Sequence, residues 1–421
     1  KVTSVRHFRW YICGLLFYAT TVNYMDRTVL GILKPTIAGE LHWTDTQYGL
    51  INSAFQLGYA VMMPLAGRFI DVIGIRLGYS LAVLFWSLAS MSHAFAGSAL
   101  QFGAARLALG LGEAANFPAA IKTVADWFPR RERALATGIL NGGSNMGAII
   151  APLIVPLLSS RWGWHSAFLF TGSLSMCWAV VWFVFYREPQ RNPRLSRQEL
   201  EWIRGDDEQE SGSKLSYSAM LHRRATWAVV LGKGFTDPVW WFYLFWLPGF
   251  LHAKYHVNLV SLGLPLVAIY VTADIGSIAG GWISSFLLKR GWTVGTARKT
   301  AMLICAICVV AVMFVPQAAG NLWVTVMLVS IATASHQGWS ANMFTLASDC
   351  FPRSTVASVI GLAGMAGALG GMLAQPAIGW WLDFSRQSYG PLFVIAGSMY
   401  LFTLFLIHML LPRIERQEAV V

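Results

Sequence analysis

Residues 165–186, HSAFLFTGSLSMCWAVVWFVFY, contain no aspartate, glutamate, lysine or arginine. As an α-helix, a segment of this length extends about 33 Å, which matches the roughly 30 Å hydrocarbon core of a lipid bilayer. Inside lipid the backbone must satisfy its own hydrogen bonds, so a single segment that crosses the bilayer is helical. This stretch therefore predicts a transmembrane helix.

Similar apolar runs recur along the chain, and together they predict an all-α integral membrane protein with twelve transmembrane helices. Hydrophobic residues make up 56% of the sequence and charged residues 12%, whereas a soluble domain has roughly 25% charged residues. The segments of about ten alternating residues that are typical of a transmembrane β-barrel do not occur. The predicted spans are approximately 9–33, 47–69, 74–95, 98–122, 134–157, 165–186, 226–251, 260–287, 299–316, 321–347, 355–380 and 389–411.

The formal net charge of +11 raises the question of nucleic-acid binding. The basic residues, however, concentrate in alternate loops, which is the pattern of cytoplasmic loops in membrane proteins. This pattern excludes a DNA-binding function and predicts that both termini and the long central loop are cytoplasmic. The basic loop residues are Arg6 and Arg9, Arg68 and Arg76, Arg130, Arg131 and Arg133, several between Arg187 and Arg224, Lys289, Arg290, Arg298 and Lys299, Arg353, and Arg413 and Arg416.

The loops on the other side are very short and contain no Asn-x-Ser/Thr glycosylation site. We therefore expect a multi-pass protein of the bacterial inner membrane, without a cleavable signal peptide and acting as a monomer. The five cysteines lie in or next to apolar spans and lack the companions of a metal site. No cofactor or metal is expected.

Two related halves are separated by one polar stretch. The predicted domains are an N-terminal six-helix bundle (1–187), a cytoplasmic linker with a short helix (188–224) and a C-terminal six-helix bundle (225–421). Ser196, followed by Glu199, is a candidate start for the linker helix. Phe-Pro-Arg-x(7)-Gly occurs at both 128–138 and 351–361. This repeat predicts pseudo-symmetric bundles with the substrate site between them at mid-membrane.

Small residues mark the fifth and eleventh spans. Gly142, Gly143 and Gly147 lie in the fifth span, and the segment 361–371 of the eleventh span is rich in glycine. Small residues allow transmembrane helices to approach closely. Their recurrence in both halves favours a moving interface, although static packing would use the same residues.

Ionisable residues in the first half are the main candidates for chemistry, because charge inside a membrane is unfavourable without a partner. Asp26 and Arg27 lie in the first span, and Arg106 and Glu113 share one face of the fourth. Arg106 and Glu113 are roughly 10 Å apart along a straight helix, so each needs another partner. One interpretation is a static salt-bridge cluster. The other is a site in which arginine binds a carboxylate and a buried acid binds protons.

The second half contains Lys233, Asp237, His336 and Gln337 in apolar surroundings. The seventh span is also rich in aromatic residues, and Trp240 is a candidate substrate contact. Aromatic faces suit a sugar-like ligand, but they also occur at the membrane interface of many proteins. His336 either binds a ligand or forms a structural hydrogen bond between helices. Pro238 is predicted to break the seventh helix.

The loop between the second and third spans has the pattern Gly67-x(3)-Asp71-x(2)-Gly74-x-Arg76. The glycines allow a tight turn, and Asp71 can cap a helix or pair with a basic residue of a neighbouring span. These four residues are the predicted gating elements. An ion pair of Asp71 would act as a latch that can break. The corresponding loop of the second half has basic residues and no acid, so we expect the two loops to be asymmetric.

This loop resembles the signature loop of the major facilitator superfamily. Arg106-x(6)-Glu113, followed by AANFP at 114–118 and by WFP at 127–129, resembles the anion:cation symporter family within it. The segments around Lys233 and around His336-Gln337 are most similar to bacterial hexuronate transporters. The resemblance covers essentially the whole chain.

The resemblance implies proton-coupled uptake of a sugar acid by alternating access. It assigns proton handling to Asp26 and Glu113, and carboxylate binding and gating to Arg27 and Arg106. Tyr59 matches a substrate-contacting tyrosine. Lys233 and Asp237 stand where hexuronate carriers can have arginine and glutamate. The predicted substrate-binding set is Arg27, Tyr59, Arg106, Lys233, Trp240, His336 and Gln337.

We therefore expect a carrier that is not an enzyme, with glucuronate or galacturonate and protons as its partners in a lipid bilayer. A carrier or exchanger of another organic anion, such as galactonate, another aldonate or a dicarboxylate, is the main alternative. A transporter-like receptor would be expected to have a larger cytoplasmic domain. A membrane-embedded enzyme would need a nucleophile motif or a metal cluster, and the sequence has neither.

Overall fold

The computed structural model describes residues 7–204, 217–318, 320–351 and 353–414. Residues 205–216 of the predicted linker and Pro352 of the repeated Phe-Pro-Arg motif lie outside these ranges. Within them the chain forms fifteen α-helices and no β-strand. The helices are α1 Phe8–Leu41, α2 Asp45–Ile73, α3 Ile75–Ser92, α4 Ala99–Glu113, α5 Asn116–Trp127, α6 Arg130–Trp162, α7 Trp164–Phe185, α8 Arg197–Arg204, α9 Tyr217–Leu221, α10 Arg224–Tyr255, α11 Gly263–Lys289, α12 Val294–Val309, α13 Leu322–Cys350, α14 Arg353–Phe384 and α15 Gly390–Leu410.

The twelve predicted spans correspond to these helices, and the fourth span is divided into two helices. That span consists of α4 and α5, because the regular helix ends at Glu113 and resumes at Asn116. In the described ranges, seven helices are by their length and composition able to cross a membrane: α3, α6, α7, α11, α12, α14 and α15. The short helices α8 and α9 lie in the linker, and Ser196 Oγ accepts a hydrogen bond from Glu199 N at the start of α8 (3.2 Å).

Glycine makes the tightest helix reversals possible. Gly74, between α2 and α3, has a φ of 86°, and Gly163, between α6 and α7, has a φ of 79°. Residues with a side chain rarely adopt this conformation. Gly67 does not contribute to the turn, contrary to the sequence prediction, because it lies inside α2.

The chain forms two compact units. Unit 1 comprises Lys1–Leu30 and Leu57–Ser211, and unit 2 comprises Gly31–Gln56 and Gly212–Val421. The end of α1 and the beginning of α2 thus belong to unit 2, whereas the rest of both helices belongs to unit 1. The sequence-based domains, 1–187, 188–224 and 225–421, place both helices entirely in the N-terminal bundle and stay a prediction.

Small residues bring helices into backbone contact in both units. In unit 1, a side chain at Gly143 or Gly147 would collide with the carbonyls of Phe17 and Thr21 on α1. In unit 2, Gly276 and Gly280 of α11 pack directly on the backbone of α13. This close approach is the packing expected of small residues between transmembrane helices.

The seventh span differs from its prediction. α10 is continuous from Arg224 to Tyr255, with Pro238 and Pro248 inside it. Proline at 238 cannot donate a hydrogen bond to the carbonyl of Gly234. α14 packs closely here, since a side chain at Gly370 would meet both the Gly234 carbonyl oxygen and the Pro238 ring. Tertiary packing therefore preserves the helix that the local sequence favours breaking.

Candidate functional site

An ion pair in unit 1 connects the first and fourth spans. Arg27 Nε donates to Glu113 Oε2 at 2.6 Å, and both side chains are at most 2% exposed. The guanidinium also lies between the rings of Tyr24 and Tyr59, 4.7 and 4.8 Å from their centroids. Arginine is suited to this position because its planar cation can bind a carboxylate and stack on aromatic rings at the same time.

The location of Glu113 increases its dependence on Arg27. Glu113 is the last residue of α4, where the helix dipole places partial negative charge. A carboxylate there is stabilised only if a cation compensates it. The second carboxylate oxygen, Oε1, is buried and lacks a hydrogen-bond partner among the described residues, so Glu113 retains an unused acceptor.

Arg106 belongs to the same cluster. Its side chain is completely buried, and Nη2 donates to the backbone carbonyl of Arg27 at 3.2 Å. Two arginines are therefore adjacent in the apolar part of unit 1, with Glu113 paired to Arg27. The sequence prediction that Arg106 and Glu113 do not form an intimate pair agrees with this geometry.

Asp26 faces a different pair of helices. Its carboxylate accepts hydrogen bonds from Ser90 Oγ of α3 (2.7 Å) and Ser175 Oγ of α7 (3.0 Å). Because adjacent helical residues point about 100° apart, Asp26 and Arg27 contact separate partners. The buried Asp26 carboxylate is thus hydrogen-bonded to hydroxyl groups and is not paired with the adjacent Arg27.

Unit 2 contains an aromatic and polar cluster. Trp240 of α10 stacks on His336 of α13, with centroids 5.0 Å apart and an interplanar angle of 8°. His336 Nδ1 lies 2.5 Å from the Tyr400 hydroxyl of α15, so that hydrogen bond fixes the imidazole plane. Gln337, the next residue on α13, is half-buried. The histidine therefore has the interhelical bond that one interpretation of the sequence predicted.

Lys233 and Asp237 form the second charged feature of unit 2. Lys233 Nζ lies 3.1 and 3.0 Å from the two carboxylate oxygens of Asp237, one turn along α10. The ammonium group also lies 5.0 Å from the Phe344 ring centroid. Gly367 of α14 leaves space for the Asp237 carboxylate, because a side chain there would overlap it.

The predicted gating loop carries an ion pair. Asp71 near the end of α2 pairs with Lys122 of α5. Arg76 Nε donates to the carbonyl of Phe183 at 2.8 Å, and Gly74 forms the turn. The loop between α2 and α3 is thus connected to two other helices of unit 1.

The predicted asymmetry between the two loops stays a prediction. Among the basic residues of the second-half segment, Arg298 of α12 pairs with Asp349 of α13 at 2.9 Å and donates to Ser284 Oγ at 2.7 Å. The acid comes from the end of the tenth span and not from the loop. A prediction confined to the loop could not find it, because the partner is 51 residues away.

Two charged features of unit 2 were not predicted from the sequence. Lys34 pairs with Asp45, beside the rings of Tyr48 and Trp246. Both charged residues lay just beyond predicted span ends and so were assigned to loops. The second is Asp274 of α11, an acidic residue within a predicted span. The rule that identified Asp26, an acid in an apolar run, should also have identified it.

The predicted substrate-binding and proton-handling residues share one property of their helices. All of them lie on α1, α2, α4, α10 or α13, outside the seven most apolar helices. These spans are less apolar because they carry the charged and amide groups described above. Polar content therefore separates the helices that carry these sequence-predicted residues from the seven apolar helices.

Long apolar helices that bury charged residues are typical of membrane transport proteins. The sequence profile of the Major Facilitator Superfamily matches residues 16–375. The chain belongs to this family, and it is a transport protein, not an enzyme.

The sequence is also similar to characterised sugar-acid carriers. It is 32% identical to the hexuronate transporter of Escherichia coli K12 over 401 residues, which cover 93% of this chain and 91% of the relative. It is 33% identical to the galacturonate transporter of Dickeya chrysanthemi, over 68% of this chain and 84% of the relative. The D-galactonate transporter of Escherichia coli O6:H1 is 27% identical, over 91% of this chain and 90% of the relative.

Solved structures agree with the fold. A bacterial homologue of the human lysosomal transporter Spinster, in an inward-facing and occupied conformation, superposes with a TM-score of 0.74. The two sequences are 19% identical, and the match covers 97% of this chain and 96% of the other.

Proposed function

We propose that this protein takes up a hexuronate, such as glucuronate or galacturonate, together with protons by alternating access. Similarity to the hexuronate and galacturonate transporters supports the substrate class. We place the protein as a monomer in the bacterial inner membrane with both termini in the cytoplasm. The basic residues in alternate loops support that orientation.

The observation that supports coupling is the buried pair of Arg27 and Glu113. Removing one partner from a buried ion pair is strongly unfavourable, by about 3–5 kcal/mol. A substrate carboxylate can replace Glu113 at Arg27 only if a proton neutralises Glu113 at the same time. The total charge of the cluster then stays constant, and substrate binding requires proton binding.

The other predicted residues complete this scheme. Arg106 and Tyr59 hold the substrate carboxylate beside Arg27, and Asp26 binds a further proton. In unit 2, Lys233, Trp240, His336 and Gln337 bind the sugar ring and its hydroxyl groups. Gly67, Asp71, Gly74 and Arg76 belong to the gate, in which the Asp71–Lys122 pair must open during the cycle.

Coupling to protons is energetically useful for such a substrate. Uptake of one negative charge against an inside-negative membrane potential costs about 2.3 kcal/mol per 100 mV. One proton that enters with the anion makes the step electroneutral, which removes that cost, and each coupled proton adds the energy of the pH gradient. Coupling to protons would therefore drive accumulation of a sugar acid.

Uptake into proteoliposomes tests the proposal. We expect radiolabelled glucuronate to accumulate when the lumen is alkaline relative to the outside, and Glu113→Gln to abolish accumulation while exchange of internal for external glucuronate continues. Glu201→Gln, at an exposed position on α8, is the matched control and should behave as wild type. Accumulation without dependence on the pH gradient would contradict symport.

The similarity to the D-galactonate transporter favours a second candidate substrate, an aldonate. Competition separates the two. If galactonate displaces labelled glucuronate at lower concentrations than galacturonate does, the protein is an aldonate carrier and the hexuronate assignment is wrong.

A further inference from the structure

α11 carries an acidic group that the transport scheme above does not use. Asp274 lies within Gly263–Lys289, one of the seven helices apolar enough to cross a membrane, with a mean hydropathy of 1.5. Its neighbours Val271, Ile275 and Ile278 are exposed apolar side chains, as expected on a surface that faces lipid. Asp274 is an isolated acid in an apolar helix.

The carboxylate of Asp274 differs from the other acids of the spanning helices. Asp26 accepts two serine hydroxyls, Glu113 pairs with Arg27, and Asp237 pairs with Lys233. For Asp274, Oδ1 is buried and receives no hydrogen bond from the part of the chain that the structure describes. An ionised carboxylate without a partner is strongly unfavourable in an apolar span.

The surroundings connect Asp274 with the aromatic cluster of unit 2. Tyr270 lies one turn earlier on the same flank of α11, and its ring contacts Trp240 edge-on, with centroids 6.4 Å apart. Trp240 in turn stacks on His336. Asp274 therefore lies one helical turn from Tyr270, whose ring contacts the Trp240 that we assign to sugar binding.

The titratable groups on the packed helices do not supply a counter-ion. On α13, His336 is bonded to Tyr400, and on α10, Lys233 and Asp237 neutralise each other. Cys305 is the buried thiol of α12, and Tyr270 is the other titratable group on this flank of α11. In the described part of the chain, none of these forms an ion pair or hydrogen bond with Asp274.

We propose that Asp274 is a proton-binding site in unit 2 and carries one of the protons that accompany the sugar acid. This inference rests on the proposed function. It adds an acid in unit 2 to Glu113 and Asp26 of unit 1.

The variant Asp274→Asn tests the proposal, because it keeps the shape of the side chain and removes its titration. Each coupled proton contributes about a tenfold accumulation ratio per unit of pH gradient. We therefore expect the variant to retain exchange and to accumulate about tenfold less glucuronate at a gradient of one pH unit. Asp274→Glu should accumulate as wild type does. Thr272→Val, on the same helix, is the matched control and should leave the ratio unchanged.

The outcomes are distinct. An unchanged accumulation ratio in Asp274→Asn, at every imposed pH gradient, would overturn the proposal. A higher half-saturating glucuronate concentration with an unchanged ratio would overturn it too, and would make Asp274 a substrate contact. If wild type does not respond to the pH gradient at all, the proposed symport function itself fails.

Infrared spectroscopy tests proton binding without relying on transport. Besides the bands of Asp26 and Glu113, the purified protein should show a carboxylic-acid carbonyl component that disappears with rising pH and is missing from Asp274→Asn. The band should persist, at a shifted frequency, in Asp274→Glu, which also covers the case in which Asp274→Asn does not fold. Identical spectra for wild type and Asp274→Asn would show that Asp274 does not bind a proton.

Discussion

The charged clusters of units 1 and 2 are built differently. Arg27 and Glu113 lie on different helices, α1 and α4, and both are almost completely buried. Lys233 and Asp237 lie one turn apart on α10, with 13% and 18% of their side chains exposed. Breaking the first pair removes an ionic contact between two helices, whereas the second pair lies within one helix and packs against Gly367 of α14 and Phe344 of α13.

This difference predicts separate roles for the two ion pairs, proton coupling in unit 1 and ligand binding in unit 2. A pair between helices makes the position of the helices depend on charge, which is what coupling of protons to conformational change requires. A pair within a helix can exchange partners without moving the backbone, which suits adaptable binding of hydroxyl groups. The following predictions test this division, beginning with the largest effect.

Arg27→Met should be the most damaging substitution. It leaves Glu113 buried without its cation, and we expect a loss of about 3–5 kcal/mol in the free energy of unfolding, together with loss of transport. The double variant Arg27→Met/Glu113→Gln removes both charges and should recover most of the stability, but not transport. Thermal unfolding in detergent measures this. Equal stability of the single and double variants would contradict a cluster held by the ion pair.

Tyr400→Phe should affect substrate affinity more than coupling. It removes the hydroxyl that orients His336, and one hydrogen bond contributes about 1 kcal/mol, so the half-saturating glucuronate concentration should rise about fivefold. The accumulation ratio at a given pH gradient should not change. Tyr243→Phe is a matched control, because the Tyr243 hydroxyl is buried in unit 2 without a partner among the described residues. A reduced accumulation ratio in Tyr400→Phe would show that unit 2 aromatics take part in coupling.

Lys233→Met should destabilise the protein less than Arg27→Met does. It also leaves an acid without its cation, but the Asp237 side chain is 18% exposed whereas that of Glu113 is completely buried, so the loss should be smaller. Comparison with Lys233→Met/Asp237→Asn measures how much of any loss comes from an unpaired Asp237. If Lys233→Met is as destabilising as Arg27→Met, the two clusters do not differ in the way described here.

Much of the site could be predicted from the sequence because membrane residues obey a strict rule. A charged residue in an apolar run is unfavourable unless it has a partner or a function. This rule alone identified Asp26, Arg27, Arg106 and Glu113. It also applied to Asp274, which was overlooked. The partners could not be predicted, because nothing in the sequence distinguishes Ser90 and Ser175 from other serines. Only the packing of α3 and α7 places them next to Asp26.

Local sequence rules failed where distant segments compensate for a local defect. Proline at 238 predicts a broken helix, yet α14 packs on α10 there and the helix continues. The loop between α11 and α12 contains no acid, yet Asp349 reaches Arg298 from α13. In each case the compensating residue is far away in the chain and close in space.

The sequence by itself determined that this protein is a bundle of membrane-spanning helices with charges inside it, because long apolar runs have no other stable arrangement in lipid. Only the tertiary structure decided which charges meet. A helix fixes the direction of each side chain to within its own turn, but the neighbour that a side chain encounters depends on how helices pack. For that reason the pairing of Glu113 with Arg27, and the isolation of Asp274, became visible only in the folded chain.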